Sequence, residues 1–90
     1  MGDPPRLLDG AKVMCWAVSP EGAFYLLRGS DVPVTAMAVC QYEDGATYLF
    51  KCDSNWQVVQ DWDCYGVEDG KEMAIPDAHG QPLQWCRFPE

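Results

Sequence analysis

The fold is decided by residues 34–60, VTAMAVCQYEDGATYLFKCDSNWQVVQ. Two runs rich in branched and aromatic side chains flank the dipeptide Asp44-Gly45, which favours the positive φ angles of a tight hairpin turn. A second group of turn-forming residues, 53–55, precedes a third run that begins at Trp56. This stretch therefore predicts consecutive antiparallel strands. Residues 36–38 would also suit a helix, but the hairpin context favours a strand.

If Asp44 and Gly45 form a two-residue turn, period-two alternation assigns the side chains to two faces, with Val39 opposite Phe50. The face expected to be the core side carries Met37, Val39, Tyr48, Phe50, Cys52, Trp56 and Val58. The other face is expected to mix Ala38, Cys40, Leu49 and Val59 with Thr47, Lys51 and Gln57.

The flanking segments extend this sheet. Residues 1–10 are polar and rich in Pro and Gly, so we expect a flexible lead-in to a single domain at 11–90 that starts near Ala11. Runs of strand composition at 11–18 and 23–28 are joined by turn residues, which predicts a first hairpin. Residues 82–88 are expected to return as an edge strand or a packed extension.

Residues 67–75 have apolar and small side chains at helical spacing with acidic residues early in the run. They predict a short helix on the core-side face, weakened at Gly70 by about 1 kcal/mol relative to alanine and ended by Pro76. The expected fold class is α+β: an antiparallel sheet of about four to six hairpin-connected strands with one short helix packed on one face.

Composition limits the classes of partner. Six basic and fourteen acidic residues give a net charge of −8, which disfavours binding to nucleic acid and to anionic membrane surfaces. The N-terminal residues lack the pattern of a secretory signal, and no apolar run is long enough to cross a bilayer. We therefore expect a cytoplasmic protein without nucleic-acid or membrane partners.

Catalytic, metal and cofactor sites find little support. The five cysteines form no C-x-x-C pair, and His79 is the only histidine, so free and mostly buried thiols are expected. The window from Asp61 to Glu72 is close to a calcium-loop pattern, but Tyr65 replaces one oxygen ligand and strand-like residues lead into the window. We expect neither metal nor cofactor, and enzyme activity stays an open minor alternative.

The preferred functional hypothesis is a non-catalytic binding module whose partner is another protein or a second copy of the chain. A homodimer is suggested by the second sheet face, where Ala38, Cys40, Leu49 and Val59 need cover. One alternative is an acidic inhibitor or immunity-type protein that engages a basic partner. Its carboxylates would be Asp61, Asp63, Glu68, Asp69 and Glu72.

The other alternative is a small-ligand binder or enzyme with a pocket between sheet and helix lined by Trp56, Trp62 and Tyr65.

The spacing of Tyr48, Asp53, Trp56 and Asp61, followed by the helix-like stretch, also resembles a pattern in small bacterial proteins of uncharacterised function. This resemblance implies a sheet with one helix and no particular activity.

Overall fold

The computed structural model describes residues 1–90, which form one helix and seven strands. The elements in chain order are β1 (Leu7–Leu8), β2 (Ala11–Val18), β3 (Tyr25–Leu26), β4 (Pro33–Val34), β5 (Ala36–Gln41), β6 (Thr47–Cys52), β7 (Val58–Cys64) and α1 (Val67–Asp77). Five strands make an antiparallel sheet in the order β1-β2-β5-β6-β7, and β3 pairs with β4 separately. The predicted α+β class, with one helix packed on an antiparallel sheet, is confirmed.

The hairpin between β5 and β6 has a three-residue loop. The Tyr42 N–H donates to the Ala46 carbonyl at 2.9 Å, so Glu43 belongs to the loop together with Asp44 and Gly45. Gly45 has a φ of 94°, which fits the left-handed residue that follows a type I turn in such hairpins. The predicted two-residue turn is therefore wrong, and the strand register differs by one residue.

The hairpin between β6 and β7 repeats this geometry with a different residue at the strained position. The Asp53 N–H donates to the Gln57 carbonyl at 3.0 Å, and the left-handed residue is Trp56, with a φ of 60°. The Asp53 side chain accepts from the Asn55 and Gln57 N–H groups, both at 2.9 Å. Trp56 therefore lies in the loop, whereas the sequence predicted that it begins the third strand-like run.

The register shift redistributes the side chains between the two faces of the sheet, and both faces are buried. We call them the helix-side face and the apolar face. The buried cluster of the helix-side face is Cys15, Phe24, Val34, Met37, Val39, Leu49, Ala74 and Ala78. The buried cluster of the apolar face is Leu8, Ala11, Val13, Trp16, Ala38, Cys40, Phe50 and Cys52. Phe50 and Cys52 share a face as predicted, but Met37 and Val39 lie on the other one.

Helix α1 packs on the helix-side face, so the expectation that it covers Phe50 is wrong. A Cβ atom at Gly70 would stand 3.0 Å from both methyl carbons of Val39, and the missing side chain permits this close approach. Pro76 lies within the last turn and the helix continues to Asp77, two residues beyond the predicted end. A proline inside a helix lacks the N–H that bonds to the preceding turn, and its ring clashes with that turn. Pro76 therefore weakens the last turn, and the helix ends one residue later.

The chain ends cover the apolar face. Asp9 and Gly10 both have positive φ angles and connect β1 to β2 in a tight turn, so the first strand of the main sheet begins at Leu7, four residues before Ala11. At the other end, Cys86 forms a β-bridge with Trp16, and the Phe88 ring lies 4.7 Å from the Trp16 ring. Residues 82–88 are thus a packed extension with a single bridge.

The predicted first hairpin is also wrong. Residues 11–18 pair with β1 and β5, while Tyr25 and Leu26 pair with Val34 and Pro33 in the small second sheet. No helix in the structure has the length and apolar character needed to cross a membrane.

Candidate functional site

The outermost strand, β7, is the long free edge of the main sheet. It has a hydrogen-bonded neighbour, β6, on one side only, and it is seven residues long. The opposite edge strand, β1, has only two residues, and Cys86 bridges to β2 beyond it. An edge strand presents unpaired main-chain N–H and C=O groups that can pair with another chain. We therefore take β7 and its side chains as the candidate site.

The hydrogen-bonding phase of the sheet shows which residues of β6 bond to β7. Tyr42 and Ala46 form a hydrogen-bonded pair at the start of the β5–β6 ladder. In an antiparallel ladder hydrogen-bonded and non-hydrogen-bonded pairs alternate, and the partners Cys40 and Tyr48 come two steps further along. Even-numbered residues of β6 therefore bond to β5, and odd-numbered residues bond to β7.

The same phase identifies the free main-chain groups of β7. Gln60, Trp62 and Cys64 are the partners of odd-numbered β6 residues and bond to that strand. Asp61 and Asp63 alternate with them, so their N–H and C=O groups point away from the sheet. Val58, the partner of Cys52, has the same orientation but lies before the register shift of the strand. Along the regular part of β7, from Gln60 to Cys64, the two residues with free main-chain groups are thus also the two acidic residues.

The carboxylates of Asp61 and Asp63 are exposed and share the apolar-face side of β7. Asp61 pairs with Phe50 and Asp63 pairs with Tyr48, and cross-strand partners direct their side chains to the same face. The negative charge of Asp63, together with hydrogen bonding to it, raises the pKa of the Tyr48 phenol above its ordinary value. The Asp63 carboxylate therefore lies on the same side of the sheet as the phenol of its cross-strand partner.

Trp62 lies on the helix-side face of β7, above a buried ammonium group. Lys51 is only 1% exposed, and its Nζ stands 5.1 Å from the centre of the Trp62 ring. The second aromatic ring near this ammonium is Tyr25, at 5.3 Å. A cation near the face of an indole is attracted to it. The indole is only partly covered, since Trp62 is 46% exposed. The Lys51 ammonium therefore orients the indole, and the exposed part of the ring remains open to solvent.

Polar contacts satisfy the buried ammonium. Lys51 forms an ion pair with Asp77 in the last turn of α1 and contacts the Gln60 Oε1 at 3.3 Å. The Tyr25 hydroxyl donates to the same Gln60 oxygen at 3.1 Å. Sequence reasoning missed this network, because Asp77 and Tyr25 are each some 26 residues from Lys51 and no local pattern connects them.

The remaining predicted acidic residues lie on or next to α1 and do not form one cluster. Glu68 is exposed and lies 3.5 Å from Lys71. Asp69 accepts a hydrogen bond from the Tyr65 main-chain N–H at 2.8 Å, which connects the turn before the helix to its first turn. Glu72 lines a separate surface groove of about 440 Å³ between α1 and residues 80–85. Only Asp61 and Asp63 belong to the strand edge.

The three aromatic residues predicted to line one pocket lie apart. Trp56 packs against the apolar-face cluster, and its Nε1–H donates to the Gly2 carbonyl at 3.0 Å. Trp62 faces Lys51 on the opposite side of the sheet, and Tyr65 is fully exposed in the turn before α1. The structure therefore does not bring them together between sheet and helix.

Four of the five thiols have a raised pKa. Burial raises the pKa of the Cys15, Cys40 and Cys64 thiols, and it raises that of Cys52 to about 12. A nucleophilic cysteine needs a lowered pKa, which is the opposite effect.

The calcium-like window also lacks the geometry of a binding loop. Its first four residues belong to strand β7, and Asp69 is engaged with the Tyr65 main chain. No group of three or more ligating side chains in the chain is placed to hold a metal ion.

Comparison with protein-family models, with curated proteins and with solved structures finds no match to this chain.

Proposed function

We propose that the protein is a binding module that engages a basic segment of a partner protein at the free edge formed by β7. The observation that carries this proposal is the coincidence of exposed carboxylates and unpaired main-chain groups at Asp61 and Asp63. The net charge of −8 supports it, since a negative field speeds the approach of a positively charged partner.

The homodimer is the weaker version of the binding hypothesis. Its motivation was the need to cover Ala38, Cys40, Leu49 and Val59. Ala38 and Cys40 are fully buried on the apolar face, and Leu49 is fully buried under α1. Val59 packs against the helix-side cluster. A single chain therefore covers these residues, and they give no reason for a second copy.

The test uses a fluorescent peptide of alternating lysine and valine and the double variant Asp61→Asn with Asp63→Asn. We expect the variant to bind the peptide about ten-fold more weakly at low salt, measured by fluorescence anisotropy, because each exposed charge pair contributes up to about 1 kcal/mol. Raising the salt concentration should reduce the difference, because ions screen exposed charges.

The matched control is Glu21→Gln with Asp31→Asn, which removes the same charge from two exposed residues outside the β7 edge. Neither of these side chains makes a hydrogen bond or an ion pair. Equal weakening in both double variants would mean that the peptide responds only to net charge, and the proposed site would then be wrong.

A further inference from the structure

We infer that the partner segment docks as an added antiparallel strand along β7 and has a basic–apolar–basic sequence. This inference rests on the proposed function and specifies its binding mode. Strand addition to an exposed sheet edge gains affinity from main-chain hydrogen bonds and specificity from alternate side chains. Both components can be derived from the residues of β7.

The main-chain component comes from Asp61 and Asp63. Each directs one N–H and one C=O away from β6, so an added strand would find two donors and two acceptors in alternation. The pairing of β7 with β6 is regular from Gln60 to Cys64, and a register shift occurs before Gln60. A bulge bends a strand and interrupts its pairing, so the added strand should pair along 60–64 only.

The side-chain component follows from the same alternation. Partner residues opposite Asp61 and Asp63 are two apart and point to the face that carries the two carboxylates, which favours lysine or arginine at both positions. The residue between them lies opposite Trp62 on the helix-side face. An apolar side chain there would cover an indole that is 46% exposed.

Pre-orientation of Trp62 supports docking at this position. The indole is held by the Lys51 ammonium, 5.1 Å from the ring centre, and Lys51 is itself fixed by Asp77 and Gln60. A side chain that is already oriented loses less rotamer freedom when a partner covers it. The buried network therefore acts as support for the exposed aromatic contact.

A second copy of β7 does not satisfy the same requirements. Two copies paired antiparallel about Trp62 would place Asp61 of one opposite Asp63 of the other, and like charges directly opposite each other are destabilising. Acidic residues on an edge strand block self-association in this way. The same charges favour a basic strand, so the occupant we infer is a basic segment of another protein.

The test compares two versions of the lysine–valine peptide that have identical charge. In one version the lysine amides are N-methylated, and in the other the valine amides. In antiparallel docking the lysine residues opposite Asp61 and Asp63 direct their amides to β7, and the valine amides point to solvent. We expect methylation at lysine to weaken binding at least about ten-fold more than methylation at valine, because the two amide hydrogen bonds to Asp61 and Asp63 are lost.

Amide hydrogen exchange gives an independent measurement. In the free protein the N–H groups of Asp61 and Asp63 should exchange faster than those of Gln60 and Trp62, and the unmethylated peptide should slow exchange at the two aspartates. Equal binding of both methylated peptides, with no added protection, would overturn strand addition and leave an acidic docking surface. Stronger loss with the valine-methylated peptide would overturn the antiparallel direction. If no lysine peptide binds even at low salt, the proposed function itself fails.

Discussion

The two faces of the central sheet bury similar numbers of residues with different chemistry. On the apolar face the buried cluster consists only of hydrophobic side chains, among them Trp16 and Phe50. On the helix-side face a lysine ammonium lies under α1 and is neutralised by Asp77. The comparison shows that the polar contacts of the apolar face, such as the Trp56 hydrogen bond to Gly2, lie at its exposed border. The helix-side face also depends on a buried ion pair that connects the sheet to the end of the helix.

The largest expected effect tests the ion pair of the helix-side face. Asp77→Asn leaves the Lys51 ammonium buried without its counter-charge, and we expect a loss of about 2 kcal/mol in the free energy of unfolding, measured by urea denaturation. The loss should stay below the about 3–5 kcal/mol that is typical of a fully buried pair, because the Asp77 side chain is about one-third exposed.

The decisive control for that prediction is the same substitution in a Lys51→Met background. Methionine keeps the apolar stem and removes the charge, so Asp77→Asn should then cost little. An equal loss in both backgrounds would show that Asp77 stabilises the helix end by another interaction.

A smaller effect tests the close approach of helix and sheet. Gly70→Ala should gain up to about 1 kcal/mol of helix propensity but place a methyl group 3.0 Å from the Val39 methyl carbons. Overpacking typically costs about 1–3 kcal/mol, so we expect a net destabilisation of about 1 kcal/mol in thermal or urea unfolding. In a Val39→Ala background the same change should be neutral or stabilising. Stabilisation in the native background would indicate that the helix moves away easily.

The smallest effect concerns the rim of the apolar face. The pKa of Tyr48 is raised by Asp63, so the phenol should lose its proton above the ordinary tyrosine value of about 10. Asp63→Asn should lower this pKa, as measured by absorbance of the phenolate.

The sign of the corresponding stability change follows from linkage. Because the pKa of Tyr48 is higher in the folded than in the unfolded chain, its effect on stability is constant below about pH 10. The folded state then loses stability as the pH rises through the Tyr48 pKa. The variant should show a smaller loss in this range. An unchanged pKa would mean that Asp63 does not approach Tyr48 in solution.

Local sequence patterns predicted the strands and the helix of this fold better than they predicted strand register and helix packing. The strand character of 34–60 and the helix after Val67 were visible in composition and spacing, and both are present. The strand register was not visible in composition and spacing, because Asp44-Gly45 fits a two-residue turn as well as the last two positions of a three-residue loop. That single residue decided which side of the sheet Val39 occupies and therefore where α1 packs.

The candidate site could be predicted only in part for the same reason. Asp61, Trp62 and Asp63 stood out as an unusual group of acidic and aromatic residues. Their exposure depends on β7 being the last strand of the sheet, and strand order is set by long-range pairing. The sequence places Lys51 on a face of mixed polarity, because no nearby residue indicates its contact with Asp77, 26 residues away.

The two three-residue loops also affect the order in which the strands fold. They join β5, β6 and β7 into a meander whose neighbours are close in sequence, so little loop entropy is lost when these strands pair. Strand β2 must instead find β5 across an intervening segment that contains the small β3–β4 sheet. Local contacts form faster than distant ones, so the meander is expected to act as the folding nucleus on which β2 and the chain ends dock later.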